Sequence, residues 1–242
     1  MPFKRVLLYL WISLLFLVAL FFVLRNQKPT STVVEKVKLK KGVELLLYKG
    51  AQLKSSENTS ELMVLKIEGK TFIKVPSNAG IQVNLFTNEA EVNITEGSAV
   101  IDASIEYKTQ VYVATGQVSL NMNRESTDKR VRTVEILPGE IGIISPNARG
   151  VVKQNNRDAN YLSWVDFNLT FENDRLTDII ELLQETYGVQ VSLNVPNHSQ
   201  CRYTGTFQAK SFESVIATIT DSLVLTITEL GENQWEINGE GC

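Results

Sequence analysis

Cysteine and histidine are scarce in this 242-residue chain, which has two cysteines and one histidine. A structural zinc site needs more Cys and His ligands than one copy of the chain has. The single histidine, His198, lies in the loop sequence Pro196-Asn197-His198-Ser199, where we assign it no acidic or serine partner. Because no catalytic triad, metal-ligand set or phosphate loop can be identified, we expect no enzyme activity, no metal and no cofactor.

An excess of positive charge is also lacking. The chain has 24 Lys and Arg against 27 Asp and Glu, which gives a formal net charge of −3. No basic stripe with interleaved exposed aromatics suggests a nucleic-acid footprint. Nucleic acid is therefore not an expected partner.

One long apolar run stands near the start, at residues 6–24, and Ser13 is its most polar side chain. As a helix this run would be about 28 Å long, which matches the hydrocarbon core of a bilayer. A cleaved signal peptide is the alternative, but its apolar core is usually only ~7–15 residues long and a small-residue cleavage site follows it. Here Phe21, Phe22 and Arg25 occupy that place. We predict a transmembrane helix in contact with the lipid bilayer.

The orientation of this helix depends on the flanking charges. Lys4 and Arg5 precede it, and six basic residues follow it up to residue 41, so a simple positive-inside count would favour a cytoplasmic bulk. However, Lys4 and Arg5 abut the apolar run as in a signal-anchor, and large domains translocate largely regardless of charge. We predict a cytoplasmic stub at 1–5 and place the bulk of the chain outside the cytoplasm.

The next part of the chain has the period-two pattern of half-buried strands. Residues 25–60 are rich in Lys, Glu, Ser and Thr, and we interpret them as a linker with one strand at the apolar patch 43–48. Alternation is clear from residue 61 to residue 155, and turn signals recur about every ten residues. They are Ser77-Asn78-Ala79-Gly80, Glu96-Gly97-Ser98, Thr115-Gly116 and Ser126-Thr127-Asp128. This spacing indicates a β domain at 61–155, with a sandwich, barrel or solenoid-like fold.

The pattern changes at residue 160 and predicts a C-terminal α+β domain over 160–242. A strand at 164–171 is followed by a helix that Asn173 or Asp174 caps and Gly188 ends. Ser211 can cap a second helix, and two strands precede it and two follow it. The order β-α-β-β-α-β-β is a split α+β layout, with two helices packed on one small sheet. The whole chain is therefore predicted to be mainly β.

The two cysteines, Cys201 and Cys242, both lie in this C-terminal domain. A disulfide between them would close a loop of ~40 residues, worth about 4 kcal/mol in the loop-entropy model, and would place the domain outside the cytoplasm. The alternative is two unrelated thiols, one buried and one on a frayed tail.

Several local strings resemble the FecR family of bacterial envelope signalling proteins, in the form found in Bacteroidetes. In the β domain these are Gly69-Lys70-Thr71-Phe72-Ile73-Lys74-Val75, Gly97-Ser98-Ala99-Val100-Ile101-Asp102, Val111-Tyr112-Val113-Ala114-Thr115-Gly116-Gln117-Val118-Ser119-Leu120 and the turn Leu137-Pro138-Gly139-Glu140. In the C-terminal domain they are Tyr187-Gly188-Val189, Tyr203-Thr204-Gly205-Thr206-Phe207 and the closing Gly239-Glu240-Gly241-Cys242. Pro138 and Gly139 suit the central positions of a type II turn.

The resemblance implies a function in signalling across the envelope. Members of the FecR family bind an extracytoplasmic-function sigma factor in the cytoplasm and receive a signal in the periplasm from a TonB-dependent outer-membrane receptor. It therefore implies an anti-sigma regulator in the bacterial inner membrane, with a single pass and a periplasmic bulk. Residues 1–5 are too few to bind a sigma factor. Either a separate cytoplasmic partner makes that contact, which we expect, or the chain is a sensor with a different output, or the protein starts before Met1.

Two pairs of residues are further candidates for function. Some FecR-like proteins cleave themselves at a Gly-Thr pair, and Gly97-Ser98 keeps the hydroxyl nucleophile, although Gly-Ser is also an ordinary turn pair. Trp164 and Phe167 could be exposed anchors for a partner or could fill the junction between the domains.

Three classes of function remain open from the sequence. The first is a regulatory binding module whose C-terminal domain offers a sheet edge to a partner strand. The second is a structural or assembly scaffold of an envelope complex, with no regulatory output. The third is an enzyme, for which the sequence offers no recognisable catalytic residues.

Overall fold

The computed structural model describes residues 31, 33–106, 108–122, 133–145 and 150–242. The described chain forms two compact units, which we call the first unit (32–165) and the second unit (166–242). The predicted stub at 1–5 and membrane helix at 6–24 lie outside the described residues. Within the described ranges, no helix combines the length and the apolar character that crossing a bilayer requires.

The described part of the first unit contains ten strands, and all of them belong to one hydrogen-bonded sheet. Its central path runs β1-β2-β4-β5-β6-β7-β9-β10, with β3 paired to β4 and β8 paired to β7. The pairings are antiparallel except for β4 with β5. The strands are β1 Val34–Lys38, β2 Glu44–Tyr48, β3 Gln52–Asn58, β4 Leu62–Val75, β5 Gln82–Phe86, β6 Ala90–Ala103, β7 Thr109–Met122, β8 Thr133–Ile136, β9 Glu140–Ile144 and β10 Val152–Asn155.

Long strands explain why one sheet forms where a two-sheet sandwich was among the expectations. β4, β6 and β7 have 14 residues each, well beyond the common strand length of about 5–6. The first half of β4 pairs with β3 and β5, and its second half pairs with β2 and β6. The predicted mainly β character is confirmed. Alternate side chains from both halves fill one apolar core, including Met63, Leu85 and Val113.

The segment 25–60, interpreted as a linker with one strand, differs from that expectation. Within its described residues it supplies β1, β2 and β3 to the sheet. The reason is local alternation, because Val43, Leu45 and Leu47 are buried in the core while the residues between them are only half-buried. The abundant Lys, Glu and Ser residues of this segment lie on the exposed positions of the strands.

Two of the predicted turns, at 96–98 and 115–116, lie inside strands β6 and β7. Gly97 and Gly116 face each other across this pair, with φ of 111° and 76°. A Cβ on Gly97 would lie 2.2 Å from the Thr115 carbonyl oxygen, and a Cβ on Gly116 would lie 2.4 Å from that of Glu96. The register shifts between Ile94 and Gly97, so the glycines mark a β-bulge where both strands bend.

The second unit has the predicted element order. It contains β11 Leu169–Arg175, α2 Leu176–Tyr187, β12 Gln190–Asn194, β13 Arg202–Phe207, α3 Phe212–Ser222, β14 Thr226–Gly231 and β15 Gln234–Asn238, while a short helix α1, Ser163–Asp166, precedes them. The strands form two sheets rather than the single sheet expected. β11 pairs with β13 alone, and β12, β15 and β14 form a three-stranded sheet in that order. Both sheets and both long helices contribute to one core.

The ends of the helices show which local predictions hold. Gly188 ends α2 at φ 74°, and the Ser211 hydroxyl caps α3 by accepting a hydrogen bond from the Ser214 amide, as predicted. The cap expected at Asn173 or Asp174 is wrong: Arg175 precedes α2, and no side chain caps that end. Asp174 instead accepts a hydrogen bond from the Glu172 amide within a bulge of β11.

The strand predicted at 164–171 begins late, at Leu169. Trp164 lies in helix α1, which ends at Asp166. The Asp166 carboxylate accepts a hydrogen bond from the Asn168 amide at 2.9 Å, and this local turn separates the helix from the strand.

Candidate functional site

The disulfide between Cys201 and Cys242 is formed, as predicted, and spans 41 residues of sequence. Cys201 is completely buried in the core of the second unit, whereas Cys242 is exposed. The bond therefore holds the end of the described chain against the start of β13. It is structural, since neither sulfur is free.

The Leu137-Pro138-Gly139-Glu140 string forms the turn between β8 and β9. Gly139 has φ 84°, and the Glu140 amide donates to the Leu137 carbonyl at 3.0 Å. The Glu140 carboxylate accepts from the Leu137 amide at 2.8 Å and pairs with Lys153 at 2.6 Å. The hydrogen bond from Lys153, followed by that from Leu137, lowers the pKa of Glu140. These contacts stabilise a turn and leave it no evident chemical role.

Gly97 and Ser98 lie at the bend of β6 and not in an exposed loop. Ser98 is buried, and its hydroxyl lies 2.8 Å from that of Thr115 on β7. Among the described residues, no imidazole or carboxylate is recorded in a hydrogen bond with this hydroxyl. The structure of the bend thus explains why both residues occur there. Self-cleavage after Gly97 stays a prediction.

Trp164 is not an exposed anchor, because only 4% of its surface is accessible. It packs on Phe72 and Val100 of the first unit and meets the Tyr48 ring edge-on at 5.3 Å. The Lys70 ammonium lies 5.3 to 5.8 Å from the ring centroids of Tyr48, Tyr161 and Trp164. Cation–π attraction at such distances therefore holds the segment around Trp164 on the outer face of the sheet.

Phe167, the other predicted anchor, is half-buried within the second unit. Its ring stacks on Tyr187 of helix α2, with centroids 5.4 Å apart. Its backbone has φ 58°, which a non-glycine residue adopts only when its surroundings hold it there. Trp164 thus packs within the first unit, and Phe167 packs within the second.

Tyr161 beside Lys70 gives a pH-dependent prediction. Burial raises its pKa to about 12 from 10.0, and the carboxylates of Asp102 and Asp158 add to the shift. Since the raised value favours the neutral phenol in the folded state, its stabilisation is complete below pH 10 and is lost as pH rises to about 12. We expect a loss of ~1–2 kcal/mol after solvent screening of the partly exposed ring. Tyrosinate absorbance measures the pKa, and unfolding curves measure the loss of stability. Tyr161→Phe should remove an absorbance step near pH 12.

The outer face of the three-stranded sheet is polar and offers no apolar docking surface. Asn194 donates to Asn238 at 2.8 Å, and Asn238 donates to Glu236 at 3.0 Å. Thr226 donates to the Asn238 carbonyl at 3.2 Å. The polar side chains on this face therefore satisfy much of their hydrogen-bonding capacity with one another. A partner is better accommodated at an edge of the sheet.

The two edges of this sheet differ. The outer edge of β12 is covered in part, because the Val191 amide donates to the Gln184 side chain of α2 at 2.9 Å. β14 pairs with β15 on one side, and no described strand pairs with its other side. An unpaired edge presents backbone N–H and C=O groups to which another strand can bind. The candidate interaction site of the second unit is therefore the free edge of β14.

Comparison with known families agrees with the architecture of this unit. Residues 168–236 match the family model described as "FecR, C-terminal". The second unit is similar to a FecR C-terminal domain. The match begins one residue before β11 and ends within β15, so it covers both long helices and both sheets of the second unit.

Comparison with solved structures covers almost the whole chain. Two crystal structures of a protein from Parabacteroides distasonis, described as a candidate anti-sigma factor, have TM-scores of 0.51 and 0.50 and 24% sequence identity. The match covers 89% of this chain and 98% of the first structure, and 88% and 97% for the second. At this identity the likeness shows the fold. The chain matches none of the curated proteins.

The site that sequence reasoning missed is the β14 edge itself. The sequence predicted a strand directly after the second helix, but neither its place at the end of a sheet nor its unpaired side follows from periodicity. No group of three or more His, Cys, Asp or Glu residues in the described ranges is arranged to hold a metal ion. The feature that the described residues of the second unit do present is a strand edge with one unpaired side.

Proposed function

We propose that this chain is a FecR-like regulatory protein of the bacterial envelope. In this proposal the FecR C-terminal domain binds the signalling domain of a TonB-dependent outer-membrane receptor, and the chain controls an extracytoplasmic-function sigma factor in response. The observation that carries the proposal is the FecR C-terminal match over residues 168–236. The fold likeness to a protein described as a candidate anti-sigma factor supports it.

The proposal includes a location. The apolar run at 6–24 would anchor the chain in the inner membrane, and residues 25–242 would lie in the periplasm. The disulfide between Cys201 and Cys242 supports an oxidising compartment, because disulfides persist in the periplasm and are rare in the cytosol.

The architecture favours binding over catalysis. Each unit has its own apolar core, and the turn at 137–140 and the bend at Gly97 have structural reasons. The surface left for a partner is a sheet edge, which recognises another chain through backbone hydrogen bonds.

Transcript profiling tests this function. A strain that produces the chain without residues 166–242, at a level checked by immunoblot, should lose the induced change of a small group of genes that depends on one sigma factor. A strain with the full chain is the control. Unchanged transcripts with a leaky envelope would contradict the proposal and favour the structural scaffold.

A further inference from the structure

Strand β14 has few of the features by which proteins protect an edge. Its sequence, Thr226-Ile227-Thr228-Glu229-Leu230-Gly231, has no proline and no lysine and is rich in residues with high strand propensity. Its pairing with β15 shifts register only near its end, between Glu229 and Gly231. At least the first three residues therefore form a regular strand with one side unpaired.

The stretch of sequence that contains this edge has one sign of charge. Residues 211–242 contain six acidic residues and no lysine, arginine or histidine: Glu213, Asp221, Glu229, Glu232, Glu236 and Glu240. Within the three-stranded sheet, Glu229 and Glu236 are the charged residues, and Glu229 lies on β14 itself. A segment that adds here would thus meet a negative potential that favours lysine and arginine.

Val224, just before β14, supplies an independent observation. It adopts φ 57° at the end of helix α3, where the Leu225 amide donates to the Thr220 carbonyl at 2.9 Å and the Val224 amide to Asp221 at 3.3 Å. This is the hydrogen-bond pattern of a Schellman motif, which prefers glycine at the left-handed position. Helix α2 has Gly188 there. A β-branched residue in this conformation is strained.

The Val224 side chain gains no packing that would offset this strain, because 88% of its surface is exposed. At the other end of β14, Leu230 is 59% exposed. These are the large exposed apolar side chains found in the second unit, and they flank the unpaired edge. Strained residues with exposed apolar side chains are typical of contact sites.

We infer that β14 is the strand to which the partner adds, and that the partner contributes an extended basic segment with apolar side chains that cover Val224 and Leu230. The inference rests on the proposed function and specifies the chemistry of its partner. Backbone hydrogen bonds to β14 provide affinity, while the acidic surroundings and the two apolar side chains select the segment.

A peptide titration tests the edge. A peptide of alternating lysine and valine is added to the full chain, with a peptide of alternating glutamate and valine as the matched control, and backbone amide NMR shifts are followed. The basic peptide should shift residues 226–231 in a saturable way that weakens as salt is raised, and the acidic peptide should not. Shifts elsewhere without shifts in β14, or equal binding of both peptides, would overturn the inference.

Two variants test the side chains. Glu229→Lys should weaken binding roughly 3- to 10-fold, whereas Glu181→Lys, the same charge change on the exposed side of α2, should leave binding unchanged. Val224→Gly should raise the Tm of the second unit by roughly 4–8 °C and yet weaken binding, so that lost binding cannot be attributed to unfolding. Val224→Gly binding as tightly as the native chain would overturn the role of Val224.

The same variants separate this inference from the proposed function. A receptor signalling domain that binds the native chain and Glu229→Lys with equal affinity would overturn the β14 inference and leave the proposed function standing. Loss of the transcriptional response on removal of residues 166–242 supports the function whichever edge is used.

Discussion

Replacing Gly97 with alanine should destabilise the first unit by about 3–5 kcal/mol, through backbone strain and an added steric overlap. Gly97 has φ 111°, a conformation that residues with a Cβ rarely adopt. The new Cβ would lie 2.2 Å from the Thr115 carbonyl oxygen and 2.9 Å from the Gly116 Cα. Both atoms belong to the backbone of β7, so relief requires the central strand pair to separate. Urea unfolding of the full chain measures the loss.

Gly139→Ala is the matched control for this change. Gly139 also has a positive φ, 84°, but a Cβ there would meet nothing within 4 Å. It should therefore cost only the backbone strain, about 1–2 kcal/mol. Equal losses for the two variants would show that the close approach of β6 and β7 contributes nothing, and would contradict the bend described at Gly97.

Replacing Cys242 with serine should lower the free energy of unfolding of the second unit by about 4 kcal/mol, because the open chain gains the entropy of a loop of 41 residues. The exposed Cys242 is the better residue to change, since Cys201 is completely buried and its replacement would also alter the core. Unfolding curves that follow Trp235, which lies in β15, report on this unit.

A second substitution shows whether the cross-link is the cause. In a chain that already carries Cys242→Ser, adding Cys201→Ala should cost little more, because the bond is already gone. Reductant should destabilise the native chain and leave Cys242→Ser unchanged. A native chain that is indifferent to reductant would contradict a stabilising role for the disulfide.

The elements that periodicity predicted well are those whose burial is local. Helix α2 buries Leu176, Ile179, Ile180 and Leu183 on one face, and Gly188 ends it at a left-handed position. The disulfide followed from there being only two cysteines in the chain. For the helix, one short stretch of sequence contains the physical reason, and for the disulfide the number of cysteines leaves a single pairing within the chain.

The predictions that failed depend on contacts between distant strands. Gly97 and Gly116 resemble turn residues in the sequence, but each is required because the opposite strand approaches its Cα. The strands before residue 60 have many charged residues, and their burial on one side comes from pairing with β4. Trp164 reads as part of a strand, whereas its surroundings are Phe72, Val100 and Tyr48.

The sequence predicted what kind of interaction site the C-terminal domain has, but not where it lies. Sequence reasoning proposed that a sheet edge of the C-terminal domain binds a partner strand, but it could not say which edge. That choice depends on the order β12-β15-β14, on Gln184 reaching the Val191 amide, and on the exposure of Val224. None of these has a signal in hydrophobic periodicity, although the absence of basic residues after Lys210 is visible in the sequence.

The central claim is that the FecR C-terminal domain captures a signalling partner. The direct measurement is the affinity of the full chain, and of the chain without residues 166–242, for the isolated signalling domain of a TonB-dependent receptor from the same organism. The account predicts saturable binding to the full chain and its loss on removal of the domain. Undiminished binding to the shortened chain would contradict it.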